Sequence, residues 1–391
     1  MNRRQEAALL SIETGQKTDY LCDMEIINTE YLPFPVRFSK SGMKMDAMES
    51  WILRRVMSSN RINLKQITDL TGKNPLELSL GAYGLTVTDG YWFKPLHSDI
   101  KWDDINFFEH EFRYDIGNMI FGIHTPNPNL ISPDLTTNGQ MEKTWRKRDD
   151  AIWLLKKGSP PYYEEPFNEK AVSNLLAKIA KVPFVSYDVA FVCRYAVSIC
   201  KNFAEKDIEF VSAADIMNTA EKPIFYTADE HLRERCRYFE IPGYKVFLDQ
   251  LKVIDYIIAN YDRHLGNYGF LYDTKKKKFI GPAPIFDNGS SLWCQDTELK
   301  KESKNYLKNE SARLLKTIRH PEEILLPDFG KREIMDIVED VYMEAAITSE
   351  RARSISNHLV DRYIEAKEEL EKEAEIRYLK QKNQNLQIEL A

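Results

Sequence analysis

Two short polar motifs, each beside an apolar segment, constrain the fold of this 391-residue chain most strongly. The first, NYDRHLGNYGF, contains Asp262 and Asn267, and the second, PIFDNGSSL, contains Asp287. The lysine-rich residues 275–278 lie between two apolar runs and predict a solvated hairpin turn. The second strand of this hairpin is predicted to end at Asp287. Two strands joined in this way would bring Asp287 back beside Asn267.

The segment before the first motif has the pattern of an amphipathic helix. Its apolar residues fall at i, i+4, i+7 and i+11 and so share one face: Phe247, Leu251, Ile254 and Ile258. A helix with this buried face would hold Asn260, the first residue of the motif, in a fixed place.

Asp262, Asn267 and Asp287 are the residue types that phosphoryl transfer requires. The reaction needs a carboxylate at the attacking hydroxyl and oxygen ligands for Mg²⁺ on the ATP phosphates. Asp262 precedes Asn267 by the interval that separates the catalytic Asp and the metal-binding Asn of kinase loops. We therefore predict Asp262 as the catalytic base and Asn267 and Asp287 as ligands of Mg²⁺. His264 is a further catalytic candidate, which either orients the loop or packs.

Turn formation is the alternative interpretation of each motif, because Asp, Asn and Gly are also favoured in turns. The order and separation of the two motifs favour the kinase interpretation. A third motif, Asp328-Phe329-Gly330, matches a known metal-binding signature but lies far beyond Asn267, between a proline and a helix. We interpret it as a helix-capping loop.

Candidate phosphate-binding residues precede these motifs in the chain. The stretch SPDLTTNG can form a small anion-binding nest through its backbone N–H groups and hydroxyls. The residues that would contribute are Ser132, Thr136, Thr137 and Gly139.

Lys156 ends the predicted strand AIWLLK, and Glu169 lies in the amphipathic helix predicted for EPFNEKAVSNLLAKIA. In kinases, such a lysine contacts the phosphates and pairs with such a glutamate. Lys157 is the competing candidate, because alternation along a strand points only one of the two lysines inward. The alternative interpretation is that both are surface lysines at the end of a strand.

Charge and cysteine content argue against several classes of protein. The formal net charge is −6 and no large basic patch is visible, while residues 62–72 resemble only half of a helix-turn-helix, so we expect no direct nucleic-acid binding. The five widely spaced cysteines contain no CxxC pair, which favours a reducing, cytoplasmic setting. No stretch approaches the roughly 20 apolar residues of a membrane helix.

Together, NYDRHLGNYGF and PIFDNGSSL resemble the C-terminal signature of HipA-like serine/threonine kinases and, more distantly, phosphatidylinositol-kinase-like folds. SPDLTTNG, the lysine of WLLKKG, and EPFNE resemble the phosphate loop, ATP lysine and adjacent helix of the family. The resemblance implies an α+β, bilobal protein-kinase-like fold with a mixed small lobe and a mainly helical large lobe, preceded by an α/β accessory region. The implied ranges are an accessory region at 1–125, a small lobe at 126–205 with a hinge near 198–203, a large lobe with the catalytic loop at 206–360, and a charged C-terminal helix at 361–391.

The resemblance also implies a bacterial or phage-associated kinase that uses ATP and Mg²⁺ to phosphorylate a Ser or Thr of a protein substrate. A serine of the phosphate loop can be autophosphorylated in this family, and Ser132 is the nearest match, with Thr136 and Thr137 as neighbours. Relatives often act as toxins, which makes a DNA-binding antitoxin partner a further hypothesis. Two alternatives stay open: a small-molecule kinase, and a pseudokinase or phage-associated DNA-interacting module.

Overall fold

The computed structural model describes the chain except for residues 14–19, 41, 59–60, 62–63, 295, 297–298, 300–312, 315–316, 346 and 390–391. The first two residues of the helix-turn-helix-like segment 62–72 and the last two of the predicted C-terminal helix therefore lie outside the described residues. The protein is a mixed α+β protein with two compact units. The first unit comprises Met1–Gly158, Ala190–Pro242 and Tyr268–Ala283, and the second comprises Ser159–Val189, Gly243–Asn267 and Pro284–Ala391.

The strands form three sheets in the described part of the chain. They are β1 (Ala8–Glu13), β2 (Tyr20–Ile26), β3 (Lys143–Arg148), β4 (Ala151–Lys157), β5 (Tyr187–Val192), β6 (Tyr195–Lys201), β7 (Ile208–Ser212), β8 (Gly269–Asp273) and β9 (Lys278–Pro282). The sheets have the strand orders β1-β2, β3-β4-β6-β5 and β7-β8-β9. β4 pairs antiparallel with β3 and β6, which places Lys156 opposite Lys143 and Ser198.

The predicted hairpin around the lysine-rich turn is confirmed as the antiparallel pair β8 and β9. The prediction that a strand ends at Asp287 was wrong, because β9 ends at Pro282. Beyond it, Ile285 forms only an isolated parallel bridge with Phe184. Pro282 and Pro284 have no N–H group to donate to a ladder, so the backbone that reaches Asp287 is irregular.

Helices make up most of the remaining regular structure. They are α1 (Phe34–Arg37), α2 (Lys44–Leu53), α3 (Leu64–Thr71), α4 (Pro75–Gly81), α5 (Trp102–Ile105), α6 (Asp115–Ile120), α7 (Glu165–Ile179), α8 (Ala213–Met217), α9 (Ala228–Tyr238), α10 (Tyr244–Ile257), α11 (Lys331–Tyr342) and α12 (Ser349–Glu389). Several have strong start signals. For example, Asn74 and Glu77 form a capping box at α4, and Thr227 and Glu230 form one at α9. Among the described residues, no helix is both long and apolar enough to cross a membrane.

The first unit has a core that joins early and later parts of the chain. Leu64 and Ile67 of α3 and Ile116 of α6 are buried in one cluster with Leu135, Leu155 of β4 and other apolar residues. The N-terminal residues therefore pack directly around the loop that carries the phosphate-binding candidates. This packing makes the position of that loop depend on residues far before it in the sequence.

The second unit is built around α10. Its predicted apolar face is confirmed, since Phe247, Leu251, Ile254 and the following Ile258 are each 4% exposed or less. α12 packs against α10 and α11, and α11 packs against α7. The motif that begins at Asn260 thus follows directly from a buried helix. The Asp328-Phe329-Gly330 motif lies just before α11, with Gly330 at the N-cap, as predicted for a capping loop.

Candidate active site

The loop that contains Asp262 is fixed by the residue two positions before it. Asn260 accepts a hydrogen bond from Asp262 N through its side-chain oxygen at 3.2 Å and donates through Nδ2 to Asp255 Oδ1 at 3.3 Å. Asp255 lies in the last turns of α10. The backbone at Asp262 is therefore attached to a buried helix, while the residue itself is exposed.

His264 organises the second half of the same loop. Its N–H donates to the Asp262 carbonyl at 2.9 Å, and its carbonyl accepts from Asn267 N at 2.9 Å. Its side-chain Nδ1 accepts from Gly266 N at 3.1 Å. The ring is exposed and shapes the turn between the predicted base and the predicted metal ligand. These hydrogen bonds fit the loop-orienting alternative for His264, and its catalytic role stays a prediction.

Arg263 is largely buried and forms an ion pair at the base of the loop. Its guanidinium donates to both oxygens of Asp255, with Nη2 at 2.9 Å from Oδ1 and Nε at 3.1 Å from Oδ2. Burial opposes the charge on Arg263, but the Asp255 carboxylate outweighs this effect and raises the pKa of Arg263 above its ordinary value. The arginine is therefore a permanently charged donor anchored to α10.

The same guanidinium connects the two motifs. Nη1 donates to the carbonyls of Asn267 at 3.3 Å and Phe286 at 2.6 Å, and Nη2 donates to Asn288 Oδ1 at 2.6 Å. Phe286 and Asn288 are the two neighbours of Asp287. The backbone at Asn267 and the residues beside Asp287 therefore contact the same arginine side chain, within the second unit.

Asp287 has a left-handed backbone conformation with φ +59°. This region is uncommon for a residue with a side chain, and such a residue costs on the order of 1–3 kcal/mol unless the surroundings fix it. Its own N–H donates to the Tyr187 hydroxyl at 3.4 Å, and the next N–H, of Asn288, donates to Glu169 Oε2 at 2.9 Å. The conformation is therefore held by neighbours on both sides.

Helix α7 supplies further contacts to residues 286–291, which we call the Asp287 loop. Asn168 Nδ2 donates to the carbonyls of Gly289 and Ser291, both at 2.9 Å. A Cβ added at Gly289 would lie 3.1 Å from Glu165 Cβ, so the glycine allows the loop to approach the helix closely. Glu169 was predicted to pair with Lys156. Within the second unit, it accepts a hydrogen bond from the backbone N–H of Asn288, next to the predicted metal ligand Asp287.

The two lysines of β4 have different environments in the first unit. Lys157 Nζ lies 2.5 Å from Glu142 Oε2 and 3.7 Å from the centroid of the Tyr195 ring. Lys156 is only 6% exposed, so the interpretation as a surface lysine does not hold for it. Alternation along β4 points the two lysines in opposite directions, and the buried Lys156 stays the candidate for phosphate binding.

The predicted phosphate loop of the first unit uses its hydroxyl groups internally. Ser132 Oγ accepts from Asp134 N at 3.3 Å, and Thr136 Oγ1 donates to the Leu85 carbonyl at 2.5 Å. Thr137 Oγ1 donates to the Pro133 carbonyl at 2.6 Å and accepts from Trp145 Nε1 at 2.8 Å. Ser132 and Thr136 are buried. Their hydroxyls therefore define the loop conformation.

Arg61 is a second buried arginine, and it holds this loop from the N-terminal part of the chain. It donates to the carbonyls of Thr137 at 2.8 Å and Gly139 at 3.1 Å, with longer contacts to those of Asp134 and Asn138. Burial lowers the pKa of Arg61 to about 10. Gly139 has φ +101°, a conformation that favours glycine.

Sequence reasoning did not identify Arg61, Arg263 or the acceptor role of Glu169 toward Asn288. Arg263 gave one usable signal, because it lies between the two candidate catalytic residues Asp262 and His264, and an arginine that is buried near such a site needs a partner. Arg61 gave no comparable signal, since its acceptors are backbone carbonyls that any sequence provides.

The donors of the second unit fit Mg²⁺ held together with a nucleotide. Within the described ranges, no group of three or more His, Cys, Asp or Glu side chains could hold a metal ion alone. Mg²⁺ at phosphates usually takes only one or two protein carboxylates, with phosphate and water oxygens completing its shell. The Asn267 amide and the Asp287 carboxylate are oxygen donors of this kind, and Arg263 contacts the backbone at both places.

Comparison with known proteins identifies relatives among kinases, although no family model matches the chain. The serine/threonine-protein kinase CtkA of Helicobacter pylori is 29% identical over 139 residues, which are 34% of this chain and 42% of CtkA. The match thus spans less than half the length of that relative. The crystal structure of CtkA aligns with a TM-score of 0.43 at 17% identity, over 59% of this chain and 94% of that chain.

A second solved structure is similar over almost the whole chain. It is a chain of the Shewanella oneidensis MR-1 toxin–antitoxin complex of HipA, HipB and operator DNA, with a TM-score of 0.55 and 12% identity over 93% of this chain and 95% of that chain. The protein is therefore an α+β protein of the HipA-like fold. Part of its sequence is similar to that of a serine/threonine-protein kinase, and its fold is similar to that of a chain in a HipA complex, in agreement with the resemblance of its motifs.

Proposed function

We propose that this protein is an ATP- and Mg²⁺-dependent kinase that transfers the γ-phosphate to a Ser or Thr of a protein substrate. One observation carries the proposal. The Arg263 guanidinium donates to the carbonyls of both Asn267 and Phe286, and so connects the loop that follows Asp262 with the loop around Asp287. The sequence similarity to a serine/threonine kinase supports the reaction class. A bilobal arrangement, with the lobe ranges predicted from the sequence, is part of this proposal.

In the proposed reaction, the Asp262 carboxylate accepts the proton of the attacking hydroxyl. Asp262 is exposed, so a protein side chain has access to it, and its backbone is fixed by Asn260. His264 keeps the loop turned between Asp262 and Asn267. A general base typically contributes about 10²–10⁴-fold to the rate.

Asn267 and Asp287 are proposed to hold Mg²⁺ through an amide and a carboxylate oxygen. When bound, the ion would supply positive charge that offsets the negative charge of the ATP phosphates. Glu169 and Arg263 keep the backbone of the Asp287 loop in the conformation that presents the carboxylate.

Lys156 and residues 132–139 are proposed to bind the phosphates of ATP. Since the hydroxyls of Ser132, Thr136 and Thr137 have internal partners, we expect the lysine and the backbone N–H groups of the loop to contribute most. Autophosphorylation of Ser132 would require the loop to open, because this residue is buried. We further propose that the protein is cytoplasmic and that it has an antitoxin partner, as HipA has in HipB.

The proposal is tested by incubating the purified protein with Mg²⁺ and γ-labelled ATP and following the label and the loss of ATP. We expect transfer by the parent chain and a loss of at least about 10²-fold in Asp262→Ala and Asp287→Ala. Asp328→Ala is the matched control, because Asp328 is an exposed carboxylate that pairs with Lys367. Its activity should equal that of the parent.

Undiminished transfer by Asp262→Ala, or no consumption of ATP by the parent, would contradict the proposal. Label that appears on an added hydroxyl-bearing small molecule, and not on protein, would instead support a small-molecule kinase.

A further inference from the structure

We infer that Arg263 is a positioning residue that sets the metal affinity of the site by holding the loops of Asn267 and Asp287 in one arrangement. The inference deepens the proposed function and rests on it. Arg263 is not itself proposed to touch the metal or the nucleotide. It acts through the backbone on which the two ligands are mounted.

All three side-chain nitrogen atoms of Arg263 donate hydrogen bonds. Nε and Nη2 bind Asp255, Nη1 binds the carbonyls of Asn267 and Phe286, and Nη2 also binds Asn288 Oδ1. Nothing in this set is a side-chain oxygen of a predicted metal ligand. The side chain therefore fixes the positions from which the ligands project.

The left-handed conformation of Asp287 makes this support necessary. Without the bonds to Phe286 and Asn288, the unfavourable φ of +59° would favour relaxation to an extended backbone, which would turn the carboxylate away. Tyr187 and Glu169 accept from the N–H groups of Asp287 and Asn288. Arg263 holds the preceding carbonyl and the following side chain, so it restrains Asp287 from both directions.

Asp255 gives the arginine a fixed orientation. Its carboxylate lies on α10, is largely buried, and accepts two of the guanidinium N–H groups while also accepting from Asn260. A guanidinium presents its donors in a rigid planar fork, whereas a lysine ammonium cannot reach this set of acceptors at once. Arg263→Lys therefore keeps the charge but removes the connection between the loops.

The test measures metal binding directly. Mn²⁺ is titrated into the full-length protein with a non-hydrolysable ATP analogue, and bound Mn²⁺ is followed by electron paramagnetic resonance. We expect Arg263→Lys and Asp255→Asn to raise the half-saturating Mn²⁺ concentration by about 10–100-fold, the range typical for residues that orient metal ligands. Circular dichroism and the melting temperature establish that each variant is folded.

Arg351→Gln is the matched control. Arg351 is also a largely buried arginine of the second unit with a carboxylate partner, Glu164, at 2.5 Å, and it likewise binds a backbone carbonyl, that of Trp293. Its described hydrogen bonds go to Glu164 and to the carbonyls of Trp293 and Asp296, away from Asn267 and residues 286–288, so this variant should lower the melting temperature without shifting Mn²⁺ binding.

A folded Arg263→Lys variant with the Mn²⁺ affinity of the parent would overturn the inference and leave the proposed function intact. An equal shift in Arg351→Gln would also overturn it, because the effect would then be one of general stability. If the parent shows no metal-dependent binding of the analogue, the proposed function fails, and the inference fails with it.

Discussion

The Asp287 loop and the loop at 132–139 each depend on a buried arginine, but the two arginines have different partners. Arg263 has a carboxylate partner and binds two separate segments of the second unit. Arg61 binds backbone carbonyls of a single loop of the first unit. The pKa of Arg263 is raised by its carboxylate, whereas burial lowers the pKa of Arg61 to about 10.

This difference indicates how each loop would respond to the loss of its arginine. Removing Arg263 leaves the Asp255 carboxylate buried without its cation, in addition to freeing two segments. Removing Arg61 chiefly leaves neutral carbonyl groups without donors, although its charge also acts on Asp134 and Glu142. Buried charges that lose their partners cost more than buried neutral groups do.

Arg263→Gln should have the largest effect on stability. We expect a loss of about 3–5 kcal/mol in the free energy of unfolding, because the substitution leaves a buried carboxylate unpaired. Urea unfolding followed by circular dichroism measures it. A parallel Arg263→Gln/Asp255→Asn double variant should recover part of the loss, and the absence of any recovery would show that the ion pair is not the cause.

Arg61→Gln should have a smaller effect, about 1–3 kcal/mol, because neutral carbonyls lose their donors. The change should be local, with faster amide hydrogen exchange in residues 133–139 and little change around Asp287. Arg332→Gln, which removes an exposed arginine, is the control. Equal stability losses in Arg61→Gln and Arg263→Gln would remove the distinction between the two loops.

The buried carboxyl group of Glu209 accepts hydrogen bonds from neutral donors, whereas that of Asp255 accepts from the charged Arg263. Glu209 of the first unit accepts from the Tyr91 hydroxyl at 3.3 Å and from Phe34 N at 3.4 Å. Burial, together with nearby Asp89, raises its pKa to about 8. The folded protein therefore keeps a proton that the unfolded chain releases near pH 4.5, and the stability from this group falls as pH rises from about 4.5 to 8.

The slope from Glu209 should be at most about 1.4 kcal/mol for each pH unit. Glu209→Gln should flatten the decline between pH 5 and pH 8, as measured by urea unfolding at several pH values. The same pH dependence in parent and variant would show that Glu209 is ionised in the folded protein.

The elements around the site follow from local patterns, so the sequence predicts them well. Helix α10, the lysine-rich turn and strand β4 each depend on the spacing of apolar residues or on turn-forming residues within a few positions. The prediction of a strand up to Asp287 was wrong because the apolar residues of PAPIF are interrupted by prolines, which prevent a continuous ladder.

The contacts that fix the site depend on the fold as a whole. Arg263 reaches Asn288, and Asn288 reaches Glu169, across long intervals of sequence that contain other elements. No local pattern identifies such pairs, and the left-handed backbone of Asp287 is equally invisible in its residue type. The candidate residues could be chosen from the motifs, whereas the way they are held could not.

The most direct measurement is calorimetric titration of ATP into the parent chain and into Asp287→Asn, with and without Mg²⁺. The account predicts that Mg²⁺ strengthens ATP binding by the parent and that this enhancement is lost in Asp287→Asn, whose amide is a neutral and weaker metal ligand. ATP binding that is indifferent to Mg²⁺ in the parent, or an enhancement that persists in Asp287→Asn, would contradict the assignment of this loop as the metal site.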